Sequence, residues 1–288
     1  MLTSIRGLRT ALLFAGIVPL AAPAFANTAN EKTETERNDG FVAMGAGNLE
    51  VVPGLSASAP TAEGSAGHMA DESGLEFSAN VALVSEYRFR GVDLSGGEIA
   101  IQGGFDVAHD SGFYVGTWAS SLDEQTVGYG STELDLYGGW GGAIAEGVSA
   151  DIGLIGYLYP DAGPGDFDYV EVYGSLTGEL GPASVTGGIA YAPDQDSLGG
   201  SDNLYLYTDV AVGIPDTPVT LNGHLGYTDG FLTFTTDSEA LDWSIGADFV
   251  TGPVTFSLAY VGVEGDALID PGGTFTDDAV VASVSASF

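Results

Sequence analysis

The sequence predicts an all-β protein, an antiparallel up-and-down transmembrane β-barrel of about twelve strands over residues 75–288. Three observations predict it. From Leu75 onward, apolar and polar residues alternate with a period of two in segment after segment. The connections between those segments alternate between short and long. The last alternating segment runs to the end of the chain, at Phe288.

Taken in order, the chain starts with a segment that belongs to export. Arg6 and Arg9 precede the apolar run ALLFAGIVPLAA, which ends at Ala24-Phe25-Ala26. A charged start, a short apolar stretch and a small-x-small site make a signal peptide, with cleavage expected after Ala26. Residues 27–74 follow, rich in Ala, Gly, Ser, Thr and Glu and nearly free of aromatics. They read as a flexible, acidic, low-complexity lead segment.

The texture changes at Leu75. Segment 75–90 sets Leu75, Phe77, Ala79, Val81, Leu83, Tyr87 and Phe89 on one parity, and Glu76, Ser78, Asn80, Glu86, Arg88 and Arg90 on the other. Strands of soluble domains run roughly 5–6 residues, whereas a strand crossing a bilayer obliquely needs roughly 9–11. Segment 98–109 sets Ile99, Ile101, Phe105 and Val107 against Gln102 and Asp106. Segment 132–141 sets Leu134, Leu136 and Trp140 against Glu133, Asp135 and Tyr137. Segment 147–159 opposes Ile152 and Leu154 to Asp151, Tyr157 and Tyr159, and segment 168–177 opposes Val170 and Val172 to Glu171 and Tyr173. In 240–250, Trp243, Ile245 and Phe249 alternate with Asp242, Ser244 and Asp248. Further strands are expected at 112–121, 182–192, 202–213, 218–228, 253–263 and 278–288.

The connections at 110–112, 142–147, 178–182, 213–218 and 251–253 are short and turn-rich. Those at 93–97, 123–131, 160–168, 193–202, 229–239 and 265–278 are mostly longer. Segregation of this kind is what a membrane barrel presents, with short turns on one side and longer loops on the other. Aromatics on the apolar parity fall into two groups: Phe113, Trp140, Phe249 and Phe288 toward the short turns, and Tyr87, Phe89, Tyr191, Tyr227, Trp243 and Tyr260 toward the loops. They predict girdles at the two interfaces. Val280, Ala282, Val284, Ala286 and Phe288 share one parity, so the terminal strand is expected to pair with the first and leave no open edge in lipid.

Composition excludes other classes. Of 288 residues, 40 are acidic and 6 basic, a formal charge of −34. Removing residues 1–26 takes Arg6 and Arg9 and no acid, leaving 40 against 4, or −36. Nucleic acid is a poor partner for such a chain. Without Cys, disulfide and thiol chemistry are absent. Beyond the signal no run of 18 apolar residues provides a membrane helix. The three histidines, His68, His109 and His224, stand near no nucleophile motif or zinc spacing, so no enzyme and no cofactor is expected.

The segments VALVSEYRFRGVDLSGGEIAIQGGFDV, HDSGFYVGTWASSLD (109–123) and STELDLYGGWGG (131–142) resemble a family of porin-like proteins of Gram-negative bacteria labelled TorF-like. The shared motif falls on Ser85, Tyr87, Arg88, Arg90 and Gly91, then on Gly112, Phe113, Tyr114, Gly116, Trp118 and Ser120. The resemblance implies an outer-membrane barrel surrounded by outer-membrane lipids. It also implies that the terminal strand with Phe288 is the signal read by the barrel-assembly machinery.

The stretch EYRFRG holds the last two cations of the chain. Glu86, Arg88 and Arg90 share the polar parity, which faces the lumen in a barrel. The expected arrangement is a lumenal charge cluster or a pore constriction near the loop rim, with Glu98 and Asp106 of the next strand as partners, or Asp277 and Asp278. Asp135, Asp151, Glu171, Asp209 and Asp248 are expected as further lumenal carboxylates, giving a weak preference for cations. Loop aspartates (Asp161, Asp166, Asp168, Asp194, Asp196, Asp266, Asp270, Asp277 and Asp278) offer weak sites for divalent cations, though in no EF-hand spacing.

The function expected is passive diffusion of small hydrophilic solutes. A non-conducting structural barrel, and a soluble secreted β-rich binding module, are the alternatives the sequence leaves open.

Overall fold

The computed structural model describes residues 74–126, 128–163, 167–267 and 275–288. The signal peptide, residues 27–73 of the lead segment with His68, and the loop residues Asp166 and Asp270 lie outside them.

The described chain is almost wholly β. Its strands are β1 (Leu75–Val84), β2 (Arg88–Phe89), β3 (Val92–Asp93), β4 (Ala100–His109), β5 (Phe113–Ser121), β6 (Thr132–Ala145) and β7 (Val148–Leu158). They continue as β8 (Tyr169–Leu180), β9 (Ala183–Gln195), β10 (Ser201–Gly213), β11 (Val219–Gly230), β12 (Glu239–Thr251), β13 (Val254–Glu264) and β14 (Ala279–Ser287). Twelve of them close into one antiparallel barrel in the order β1-β14-β13-β12-β11-β10-β9-β8-β7-β6-β5-β4. The two shortest, β2 and β3, form a separate hairpin.

Closure falls where the sequence places it. Asn80 faces Ser287 and Val84 faces Ser283 across the β1/β14 seam. Ala79 and Phe288 exchange backbone hydrogen bonds of 3.1 and 2.9 Å, so the last residue is part of the ladder. A closed ladder leaves no row of unpaired amides and carbonyls, which hydrocarbon would not solvate.

Alternation sets what each side of the wall meets. Ile101, Phe113, Val115, Leu136, Ile152, Leu154, Leu176, Ile245, Leu258 and Val280 point outward, each more than half exposed. Outward apolar side chains come from all twelve barrel strands, a belt far beyond the apolar patches that soluble monomers expose. The other parity turns inward, and there Tyr114, Trp118, Tyr137, Tyr157, Tyr173, Tyr205, Glu133, Asp135, Glu171 and Asp242 are buried.

The connections segregate by end. Residues 110–112, 146–147, 181–182, 214–218 and 252–253 link strands at what is here called the short-turn end. Residues 85–99, 122–131, 159–168, 196–200, 231–238 and 265–278 link them at the long-loop end.

One expectation fails. The first wall strand ends at Val84 and does not run to residue 90. Ser85 makes the last wall contacts: its amide donates to the Ala282 carbonyl (2.8 Å), and its hydroxyl accepts from the Ala282 amide (2.9 Å). The chain then turns into the bore. Tyr87 and Phe89, expected on the lipid face near the loop rim, are 0% and 4% exposed inside the barrel. The remaining members of the loop-side girdle, Tyr191, Tyr227, Trp243 and Tyr260, stay on the outward parity of their strands.

A candidate lumenal constriction

The hairpin of β2 and β3 is built by its own sequence. Arg88 pairs with Asp93 and Phe89 with Val92, leaving Arg90-Gly91 as a two-residue loop. Both loop residues have positive φ, 48° and 84°, as the type I′ turn of a tight hairpin demands. Glycine adopts that region freely, whereas an arginine there is strained. Gly91 is also sterically required. A Cβ on it would lie 2.7 Å from Val263 Cβ and 2.9 Å from Asp242 Cβ, on the walls of β13 and β12.

The hairpin projects into the bore, with Gly91 at its tip close to β12 and β13. The strand opposite β1 in the barrel order is β9, and the Arg90 side chain reaches its two neighbours, β8 and β10. Arg90 Nη2 donates to Glu171 Oε2 on β8 at 2.7 Å, with both side chains buried. The guanidinium carbon sits 4.3 Å from the centre of the Tyr205 ring on β10 and 4.7 Å from that of Phe89, a cation held against two aromatic faces. Tyr157 of β7 donates to the same Glu171 oxygen (3.2 Å) and meets Phe89 edge-on, ring centres 5.8 Å apart. At the base, Tyr87 packs against Trp118 of β5 with ring centres 5.7 Å apart, and its hydroxyl reaches Glu133 of β6. Arg88 turns back on the hairpin, pairing with Glu86 and donating to the Gly91 carbonyl (3.0 Å).

Loop residues close over this layer. Tyr129 stacks on Tyr159 with ring centres 4.3 Å apart and meets Phe167 edge-on, while Phe234 meets Phe275 edge-on. Burial pushes the Tyr129 phenol well above its usual range, and the Glu133 carboxylate adds to this, so it stays neutral. Two of the loop aspartates fasten the loops, Asp161 joining two of them and Asp168 tying its own. Asp161 Oδ2 accepts from the Ser131 amide (3.1 Å) and hydroxyl, which holds its carboxyl below the usual range. Asp168 Oδ1 accepts from the Tyr159 amide (2.8 Å). Among the described residues, no three His, Asp or Glu side chains gather as a metal ion needs.

Below the hairpin, toward the short turns, the lumen is lined by tyrosine–carboxylate pairs that run along the wall. Tyr137 donates to Asp106 (2.6 Å), and Tyr114 donates to Asp151 (2.9 Å) and meets the Tyr173 hydroxyl. Asn222 donates to Asp248 (2.6 Å). His224 stands between two carboxylates, with Nδ1 at 2.6 Å from Asp209 and Nε2 at 2.9 Å from Asp242.

The residues expected at the charge cluster thus part company. Glu86 and Arg88 meet, and Arg90 lies beside them in sequence but finds Glu171 across the bore. Glu98 is exposed in the loop leading to β4, and Asp106 belongs to Tyr137 near the other end, so neither joins the arginines. Asp278 accepts from Tyr260 (2.7 Å). Asp135, Asp151, Glu171, Asp209 and Asp248 all stand on the inward parity. The motif residues Tyr87 and Trp118 meet at the base of the hairpin, and Gly91 forms its tip. Sequence reasoning missed Tyr205 as a partner of Arg90 and Tyr157 as a partner of Glu171. It also missed the hairpin, whose signal was a glycine one residue after Arg90 within a segment too long for one crossing.

Comparison with known proteins agrees with this architecture. A family described as "Bacterial protein of unknown function (Gcw_chp)" matches residues 68–288. The TorF-like kinship is not confirmed by these matches, and no curated protein matches. Among solved structures, the KdgM porin in complex with disordered oligogalacturonate aligns with a TM-score of 0.50 at 9% identity, over 73% of this chain and 99% of that one. Salmonella typhi OmpF in complex with daunomycin aligns at 10% identity and a TM-score of 0.41, over 74% and 97% of the two chains. The fold is that of a porin-like barrel.

Proposed function

The chain belongs to the Gcw_chp family, and from that premise we propose that it is an outer-membrane porin of narrow bore, passing small hydrophilic solutes with a preference for cations. The outward apolar belt supports residence in a bilayer. Export by a signal peptide at residues 1–26 and insertion through the terminal strand with Phe288 are part of the same reading, as is the porin kinship suggested by the TorF-like resemblance.

The single observation that carries the preference is the sign of the lumenal charge. Asp106, Glu133, Asp135, Asp151, Glu171, Asp209, Asp242 and Asp248 project inward, against Arg88, Arg90 and His224. A bore with this excess of carboxylates attracts cations and repels anions. Oligogalacturonate, named with the KdgM porin, is an acidic sugar chain and a poor solute for such a lumen. The hairpin in the bore makes the path narrow and favours small solutes over large ones.

Purified protein in a planar bilayer tests this. Small conductance steps are expected, with a reversal potential of cation-selective sign in a salt gradient. Anion-selective reversal would defeat the charge argument. Folded protein that gives no steps would leave the structural barrel, with the buried hairpin as a plug.

A further inference from the structure

We propose that the wall facing the hairpin tip is a binding site for a guanidinium-bearing solute, and that Arg90 is its built-in stand-in. This rests on the porin reading above and gives it a solute class.

The site is furnished by the wall alone. With the hairpin in place, Glu171 on β8 is 0% exposed; Tyr157 on β7 donates to its Oε2 at 3.2 Å, and Tyr205 on β10 presents a ring face. A desolvated carboxylate beside an aromatic plane is what a planar, delocalised cation requires. Anions are repelled by the carboxylate, and neutral sugars leave its charge unpaired.

The resident cation uses the site incompletely. Arg90 makes one hydrogen bond to Glu171, at 2.7 Å through Nη2. The other carboxylate oxygen, Glu171 Oε1, is buried without a hydrogen-bond partner among the described residues, and so are Arg90 Nε and Nη1. A guanidinium free to turn can give a carboxylate two parallel N–H bonds, which adds energy and geometric specificity over a single one. Arg90 is constrained by its tether. It sits at φ 48° in a two-residue turn, and Gly91 beside it is already against β12 and β13. A free solute has no such tether.

The hairpin is also anchored where exchange would let it pivot. Its base is fixed by backbone bonds from Asp93 to Phe275 (2.9 Å) and from Asp123 to Leu94 (3.0 Å). At the tip, the ion pair with Glu171 and the ring face of Tyr205 hold Arg90 to the wall. A solute that takes Glu171 therefore releases the tip from the middle of the bore while the base stays in place.

Chemical rescue tests the site without relying on conduction. Arg90→Ala is expected to melt at a lower temperature than the wild type in detergent, because Glu171 is left buried and unpaired. Methylguanidinium should raise that midpoint by about 5–10 °C at roughly a hundredfold its dissociation constant. Sodium at the same ionic strength should not, and neither should methylguanidinium on the Arg90→Ala/Glu171→Gln pair. No rise with the single variant, or an equal rise with the double, overturns the site. A wild-type arm covers failure of Arg90→Ala to fold: methylguanidinium should increase wild-type bilayer conductance beyond equimolar sodium, and indifference overturns the exchange. If no variant conducts at all, the porin reading falls, and the melting experiment still decides the site.

Discussion

The two halves of the lumen solve the same problem differently. Both must accommodate inward polar side chains in a closed barrel. At the short-turn end, Tyr137 donates to Asp106, Tyr114 to Asp151 and Asn222 to Asp248 along the wall. Each is a neutral donor serving a carboxylate. At the long-loop end, the chain sends a hairpin into the bore, and the decisive contact is between opposite charges, Arg90 and Glu171. Wall pairs can be lost one at a time. A buried ion pair at the end of a strained turn cannot lose a partner without leaving a charge in a dry place. The sequence spends its last two arginines on the second arrangement, in a chain of formal charge −34.

The contrast predicts unequal costs for one chemical change. Glu171→Gln leaves the Arg90 guanidinium buried without its counter-charge and is expected to destabilise the fold by about 3–5 kcal/mol. Asp106→Asn keeps an acceptor for the Tyr137 hydroxyl and is expected to cost about 1 kcal/mol or less. Urea unfolding of the two variants in the same detergent compares them directly. Equal losses would mean that the ends of the lumen are held in the same way.

The wall of this molecule was legible in the sequence, and the hairpin was not. A strand between lipid and lumen must alternate at every residue, so the pattern repeats across twelve segments and each confirms the others. Even the closure of Ala79 on Phe288 follows, because an open edge is forbidden in hydrocarbon. The hairpin occurs once. Its residues 86–90 continue the alternation of β1, with Tyr87 and Phe89 falling on the parity of Val81 and Leu83. Periodicity cannot distinguish an aromatic facing lipid from one facing the inside of a plug, since both are apolar surroundings. Partners were harder still. Arg90 and Glu171 are far apart in sequence, and the pairing depends on which strands face each other across the closed barrel, whereas Glu98 and Asp106 were merely near in sequence.

A smaller effect sharpens the role of the tip. Gly91→Ala adds one methyl group where Val263 Cβ and Asp242 Cβ would be 2.7 and 2.9 Å away, at φ 84°. The tip must shift, and a cost of about 1–3 kcal/mol is expected from overpacking. Because the shift draws Arg90 from Glu171, bilayer conductance should rise together with the loss of stability. Lost stability with unchanged conductance would show that the tip does not control the bore.

The smallest effect concerns the loops that cover the hairpin. Asp161 accepts from both the amide and the hydroxyl of Ser131, joining the 122–131 and 159–168 connections. Those bonds favour its charged form and hold the carboxyl below its usual range. The sign follows. A carboxyl with a depressed folded value contributes stability that is complete above the unfolded value of about 3.9, and loses it as pH falls through the folded value. Ser131→Ala removes the hydroxyl and keeps the amide, so the Asp161 carboxyl should titrate closer to the unfolded value, read residue by residue from its carbon chemical shift against pH. The group is fully exposed, so melting at neutral pH should hardly change. If the titration does not move, the hydroxyl is not what holds Asp161. If melting at neutral pH falls as far as it does for Glu171→Gln, then the loop cover, and not the ion pair across the bore, secures the long-loop half.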